Sequence, residues 1–229
     1  MTVCVLKSIN VTKTYMKKSI IILTLMGTGM LSVFAQGFLN FGFENANVSG
    51  NSPGSVAAAN AIPDWTAYLG GTAQANINYD VSLVSGGFQV DLLDANSGQS
   101  IIQGNYEIAL EGSASESASI GQTGTIPVTA QSLIWSGSGP DSLSFNSQEL
   151  PISILGYSGN YTIYGANISA LAGETGQLLF TSSSFPAAPV NIIDNIQFSS
   201  SPVPEPNILS LSALGGLFLV LRKRKVRAI

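Results

Sequence analysis

The chain has 229 residues, 45% of them hydrophobic and only 10% charged, with nine Lys+Arg, thirteen Asp+Glu, no His and one Cys. All nine bases lie within residues 1–18 or 222–227, and every acid but Glu205 lies between Gln36 and Ser201, so that stretch is a polyanion without a cation. Such a body cannot neutralise phosphates, which excludes nucleic acid as a partner; without His, Lys or Cys it also cannot build Ser-His-Asp, Cys-His, Schiff-base or His/Cys zinc chemistry.

Met16-Lys17-Lys18 opens a short basic region, the apolar run Ser19–Phe34 follows, and Val33-Phe34-Ala35 sets small residues ahead of Gln36. These are the three parts of a secretory signal, predicting a signal helix over residues 1–35 and cleavage by signal peptidase between Ala35 and Gln36. Met16 begins a complete signal by itself, so residues 1–15 read as an over-extended start. The run is short for a membrane span and ends in a cleavage site rather than a helix cap. Cys4 precedes that site, so the mature protein is expected to hold no disulfide.

Residues 36–201 show no helical periodicity. Short β-branched and aromatic runs recur instead, separated by Gly, Ser, Asn and Pro. Strands are predicted at Phe38–Phe43, Trp65–Leu69, Ala75–Val84, Gly87–Leu92, Asn105–Leu110, Ser117–Gly121, Gln131–Trp135, Ser142–Phe145, Leu150–Leu155, Asn160–Ile168, Gln177–Thr181 and Asn191–Phe198. Many short alternating strands predict an all-β fold, an antiparallel β-sandwich, formed as one domain over 36–201. A core of this size buries roughly 70% of the unfolded surface.

A saccharide site needs an aromatic platform beside amide and carboxylate hydrogen-bonding groups. Trp65 with Asp64 and Tyr68 is the first candidate for ligand binding, because Ile62-Pro63-Asp64 is a turn-like lead-in that would expose the indole. Trp135 ends an apolar strand and reads as core; Tyr157, Tyr161 and Tyr164 form a further aromatic group. Hydrolysis with this composition would require paired carboxylates. The nearest groupings are Asp91 with Asp94, and Glu107 with Glu111 and Glu116; the missing Arg, His and Lys argue for no catalytic residues and no enzyme.

The chain closes with Pro202-Val-Pro-Glu-Pro206, the apolar run Asn207–Leu221, and Arg222-Lys-Arg-Lys225. Prolines enforce an extended, accessible linker. The run is short for a span, and the basic cluster would stay cytoplasmic, leaving the body outside. In this order the parts resemble a PEP-CTERM sorting signal over residues 202–229, with Pro204, Glu205 and Pro206 as its motif. That resemblance implies a C-terminal transmembrane helix held in the inner membrane before processing and an exosortase as processing partner. It also implies a Gram-negative, exopolysaccharide-producing host, with the product at the cell surface or in the matrix.

Asn40-Phe41-Gly-Phe-Glu44 and Ile193-Asp194-Asn195-Ile196-Gln-Phe198 are similar to the first and last strands of galactose-binding-like jelly rolls. That likeness implies a jelly-roll sandwich and a structural calcium (Ca2+) with Glu44 and Asp194 as ligands; no cofactor is otherwise required. The combined expectation is an exported structural or adhesive protein of exopolysaccharide or biofilm, with extracellular polysaccharide as partner. The alternatives are a carbohydrate-binding module-like protein and, behind it, a glycosidase-type enzyme.

Overall fold

The computed structural model describes residues 37–83, 88–183 and 190–203. The expected signal helix, its Ala35–Gln36 cleavage point, the Pro204-Glu205-Pro206 motif and the C-terminal apolar helix lie outside the described residues. Among the described residues no helix is long and apolar enough to cross a membrane.

The elements in chain order are β1 (Gly54–Ala57), α1 (Ala58–Ala61), β2 (Thr66–Leu69), β3 (Thr72–Ala73), β4 (Asn76–Tyr79), β5 (Gln89–Leu93), β6 (Glu107–Glu111), β7 (Ala118–Thr125), β8 (Ser132–Gly137), β9 (Ser142–Phe145), β10 (Gln148–Glu149), β11 (Ile152–Ser158), β12 (Tyr161–Asn167), β13 (Thr175–Ser182) and β14 (Val190–Ser199). They assemble into an eight-stranded sheet, β1-β4-β5-β6-β14-β8-β12-β11, and a six-stranded sheet, β10-β9-β13-β7-β2-β3. The β4–β5 pairing is parallel. Antiparallel pairs dominate elsewhere, as the predicted sandwich requires.

Turn chemistry sets the registers. Ser158 pairs with Tyr161 around Gly159-Asn160, and Phe145 pairs with Gln148 around Asn146-Ser147. Gly159 has φ +58, and Asn146 and Ser147 have φ +50 and +65, the left-handed backbone that two-residue hairpins need. Between the sheets lies one core. Leu92, Ile108, Leu110, Leu133, Trp135 and Ile193 face Ala67, Ile120, Leu143, Phe145, Leu178 and Phe180. The indole of Trp135 is fully buried and meets the Phe180 ring edge-on, with centroids 5.5 Å apart.

The opening segment departs from expectation. Phe38–Phe43 forms no strand beyond a single bridge of Gly37 to Thr125. Asn40 and Phe43 take φ +51 and +58, which breaks an extended run. The Gln122 side chain stands in for a neighbouring strand: its Oε1 accepts from Leu39 N at 2.6 Å and its Nε2 donates to Leu39 O at 2.9 Å. The apolar alternation serves instead to seat Phe38 and Phe41 against Phe198 at the sandwich end. The predicted strand Ala75–Val84 is likewise cut at Tyr79, because Asp80 turns left-handed at φ +49.

Truncating the central indole tests this packing. Trp135→Ala is expected to lower the unfolding free energy by about 3–5 kcal/mol in denaturant titration. A loss below ~1 kcal/mol would mean that the two sheets do not meet there.

Candidate functional site

The alternation of β6 sends Ile108 and Leu110 into the core, while Glu107, Ala109 and Glu111 point to the opposite face of the large sheet. On the same face β5 presents Asp91 and β14 presents Asp194; the register Ile193↔Ile108 carries Asp194 opposite Glu107 one step further on. All four carboxylates are fully buried. No cation from the body is available to pair with them.

Backbone amides take that role. After Asp94 caps a 3-10 turn at Ala95–Ser97, the chain returns across the sheet toward β6. Ile102 N donates to Glu107 Oε2 at 3.1 Å, and Gln103 N to Asp194 Oδ2 at 2.9 Å. Asn105 N and Tyr106 N both donate to Glu44 Oε1, at 2.8 and 3.1 Å, and Asn105 Nδ2 reaches Glu44 Oε2 at 2.8 Å. Four of the five residues 102–106 thereby bind three acids, Glu44 and Asp194 from distant parts of the chain and Glu107 from the strand that follows. Gly104, at φ +68, lies at the centre, and a Cβ there would run into the Glu44 carboxylate. Only glycine fits both constraints.

Amide donors do not offset burial completely. Desolvation pushes Asp91, Glu107 and Asp194 each up to about 7. For Asp91 the bond from Val81 N opposes the rise, while Asp80 and Glu111 reinforce it. For Asp194 the bonds from Asn195 N and Gln103 N oppose it, with Glu107 and Glu44 adding repulsion. Burial also raises Glu111, against a bond from Gln89 Nε2 at 2.5 Å. Among the described residues Asp91 Oδ1, Glu107 Oε1 and Glu111 Oε1 are buried without a hydrogen-bond partner, the setting in which desolvation disfavours the charged form.

At the end of the large sheet where β6 begins and β8 ends, a cleft of about 520 Å³ opens. Gln99, Ser100, Asn160, Tyr161 and Tyr164 line it, with Glu107 as its one acid. Tyr164 is fixed: its ring stacks on Trp135 at 5.6 Å and 16°, and its hydroxyl donates to Ser138 O at 2.8 Å. Tyr161, the first residue of β12, is half-buried. Tyr157 of the same aromatic group stands apart from the cleft, 74% exposed on the edge strand β11.

Glu44 and Asp194, the expected calcium ligands, do lie close together, flanking Gly42. All four of their carboxylate oxygens already accept hydrogen bonds, the last from Asn195 N to Asp194 Oδ1. Among the described residues no group of three or more His, Cys, Asp or Glu is arranged to hold a metal ion. The donor set fits amides rather than a cation.

Trp65 requires a correction as an exposed platform. It is only 5% exposed, its ring lies 5.7 to 6.2 Å from Phe43, Phe41 and Phe180, and its Nε1 donates to Asn40 O at 3.0 Å. The turn at Asp64, φ +73, drives the next residue inward rather than out. Asp64 is exposed, and Tyr68 is half-buried with its hydroxyl accepting from Gln177 Nε2 at 2.9 Å. The three residues form no common site. Sequence reading passed over the bracket at 102–106; its one visible trace is the pair Gly98 and Gly104, both left-handed, before Asn105-Tyr106.

A profile of the PEP-CTERM protein-sorting motif matches residues 202–225. The motif marks an exported protein that passes through a membrane-anchored sorting intermediate with an exosortase as processing partner. No curated protein and no solved structure matches the chain.

The buried acids fix the sign of the pH response. Their folded values near 7 exceed the unfolded values near 4, so the folded state binds more protons in that interval. This contribution is full below about pH 4 and lost as pH rises through about 7, each group supplying roughly 1–4 kcal/mol. Tm is expected to rise between pH 8 and pH 5, and Asp91→Asn should flatten part of the rise. A Tm that falls over this range would refute the assignment. Separately, Gly104→Ala should cost roughly 1–3 kcal/mol through strain and displacement of Glu44, read by denaturant titration.

Proposed function

We propose that the exported body is a non-catalytic component of an extracellular polysaccharide matrix or cell surface, and that the cleft beside Glu107 holds neutral saccharide. The cleft is the observation that carries this reading. It pairs aromatic rings with amide and hydroxyl groups, the combination that suits a sugar's apolar face and polar rim. Its volume suits a short oligosaccharide segment rather than a whole chain. The body's uncompensated negative charge disfavours uronate- or sulfate-bearing polymers.

The arrangement of acids argues against turnover. Glycosidases need two carboxyl groups about 5–10 Å apart flanking the substrate. Glu107 and Glu111 are four residues apart on one strand, about 13 Å. Glu107 and Asp194 are closer, but both are sealed from solvent and held by loop amides. That leaves one acid beneath the cleft and no partner across it. The same geometry supports no metal-assisted hydrolysis.

A glycan array with the secreted protein tests the reading. Binding to one class of neutral oligosaccharide is expected, with little binding to uronate oligomers of equal length and no hydrolysis products. Tyr161→Ala should weaken that binding roughly ten-fold, in keeping with the loss of one stacking contact. Absence of binding to any neutral glycan would leave a purely structural polyanion as the better description.

A further inference from the structure

The strongest feature outside the cleft is where the folded body meets its own sorting motif. The prolines of the tail predict a free linker, yet the chain stays docked through Val203. Gln131 N donates to Ser199 O at 2.8 Å, Gln131 Nε2 to Ser200 O at 2.7 Å, and Ser132 Oγ to Ser201 O at 2.7 Å. Val203 is then only 7% exposed. It fills a recess that exists because residue 165 of β12 is glycine: a Cβ there would stand 3.3 Å from Val203 Cγ2 and 2.6 Å from Leu155 Cδ1. The side chains of Gln131 and Ser132 add bonds that continue past the last strand pairing, and the recess anchors the end.

The matched motif begins at residue 202, so Val203 already belongs to it. Pro204-Glu205-Pro206 follows at once, and the apolar run begins at Asn207. Three residues span at most about 10 Å when extended. A membrane-held processing enzyme must seat an extended peptide in its active site, and a rigid sandwich within ~10 Å of the motif blocks the approach from one side. Undocking Ser199–Val203 adds five residues, roughly 17 Å of further reach.

We infer that the strip formed by Gln131, Ser132 and the Gly165 recess is a docking site for the chain's own tail, and that release of Ser199–Val203 from it exposes the sorting motif to the exosortase. The docked state protects the precursor; the undocked state is the substrate. The inference is independent of the saccharide reading, since none of these residues lines the cleft.

The test follows precursor processing of the full chain in cells carrying the cognate exosortase, by pulse-chase and mass of the product. Body-side changes leave the motif intact: Gln131→Ala with Ser132→Ala should speed conversion roughly three- to ten-fold, by removing two side-chain hydrogen bonds. The converse variant joins Gly165→Cys to Val203→Cys, in a body that has no cysteine of its own. The separation suits a disulfide once the half-buried Leu155 side chain swings aside. This lock should stop processing until a reductant is added, whereas Val203→Cys alone should be processed normally. If the locked precursor is processed as fast as its reduced form, the inference is overturned. If the double-Cys chain fails to fold, the Gln131→Ala, Ser132→Ala rate decides alone, and an unchanged rate with unchanged Tm rejects the docking role.

Discussion

The fold depends on how a domain without a cation tolerates buried acids. Four carboxylates sit fully buried on one face of β5, β6 and β14, where each would ordinarily require a Lys or Arg. For Glu107 and Asp194 the 102–106 bracket supplies backbone N–H groups instead, Val81 N serves Asp91 and the Gln89 side-chain amide serves Glu111, and protons held near neutral pH supply the remainder. This solution is local and directional. An amide has a fixed bearing, so the loop geometry, and above all the left-handed glycine at 104, is dictated by the positions of Glu44, Glu107 and Asp194. The bracket also joins the opening segment and the closing strand to β6, through bonds that span 61 and 91 residues of chain. It therefore acts as a tertiary clasp as well as a neutralising device.

Much of the strand pattern was legible in the residues, because period-2 alternation is a direct consequence of a sheet with one face on a core. The runs around Ser142–Phe145, Tyr161–Asn167 and Val190–Ser199 emerged within a residue or two of expectation. The opening aromatics misled for a physical reason. Phe38, Phe41 and Phe43 carry strand-like composition but serve as a plug over the sandwich end, and a side-chain amide replaces the ladder they would have joined. Trp65 misled similarly. A turn before an indole says where the chain bends but not toward which side, and only the position of Phe180 on β13 decides that the ring goes inward.

The site was less legible than the fold. Glu107 and Glu111 were visible as a grouping, but nothing local to β6 tells that a loop amide would hold the first and a side-chain amide of β5 the second. Glu44 and Asp194 were placed together by likeness to another fold's ends, and the structure does bring them close. What it adds is the identity of the third party. Amide donors from residues 103, 105 and 106 occupy their oxygens, and donors contributed by backbone leave no trace in side-chain identity. The cleft has the same character: Tyr161 and Tyr164 could be listed as aromatics, but their nearness to Gln99 and Ser100 is a property of the loop path.

One constraint connects the bracket and the cleft. Residues 98–102 form a wall of the cleft, and Ile102 is also the residue whose amide holds Glu107. The wall is therefore positioned by a carboxyl whose protonation changes near neutrality. With Glu107 ionised, the Ile102 amide faces a full negative charge and the bond is strong; with Glu107 protonated, the same amide faces a neutral carbonyl or hydroxyl and the bond weakens by roughly half. Wall rigidity thus increases with pH while global stability decreases with it. The two trends oppose because desolvation acts on the whole buried carboxyl, whereas the amide bond acts on one oxygen. An exported protein meets whatever pH its surroundings impose, and this architecture spreads the consequences over the clasp, the wall and the core instead of placing them on a single ion pair.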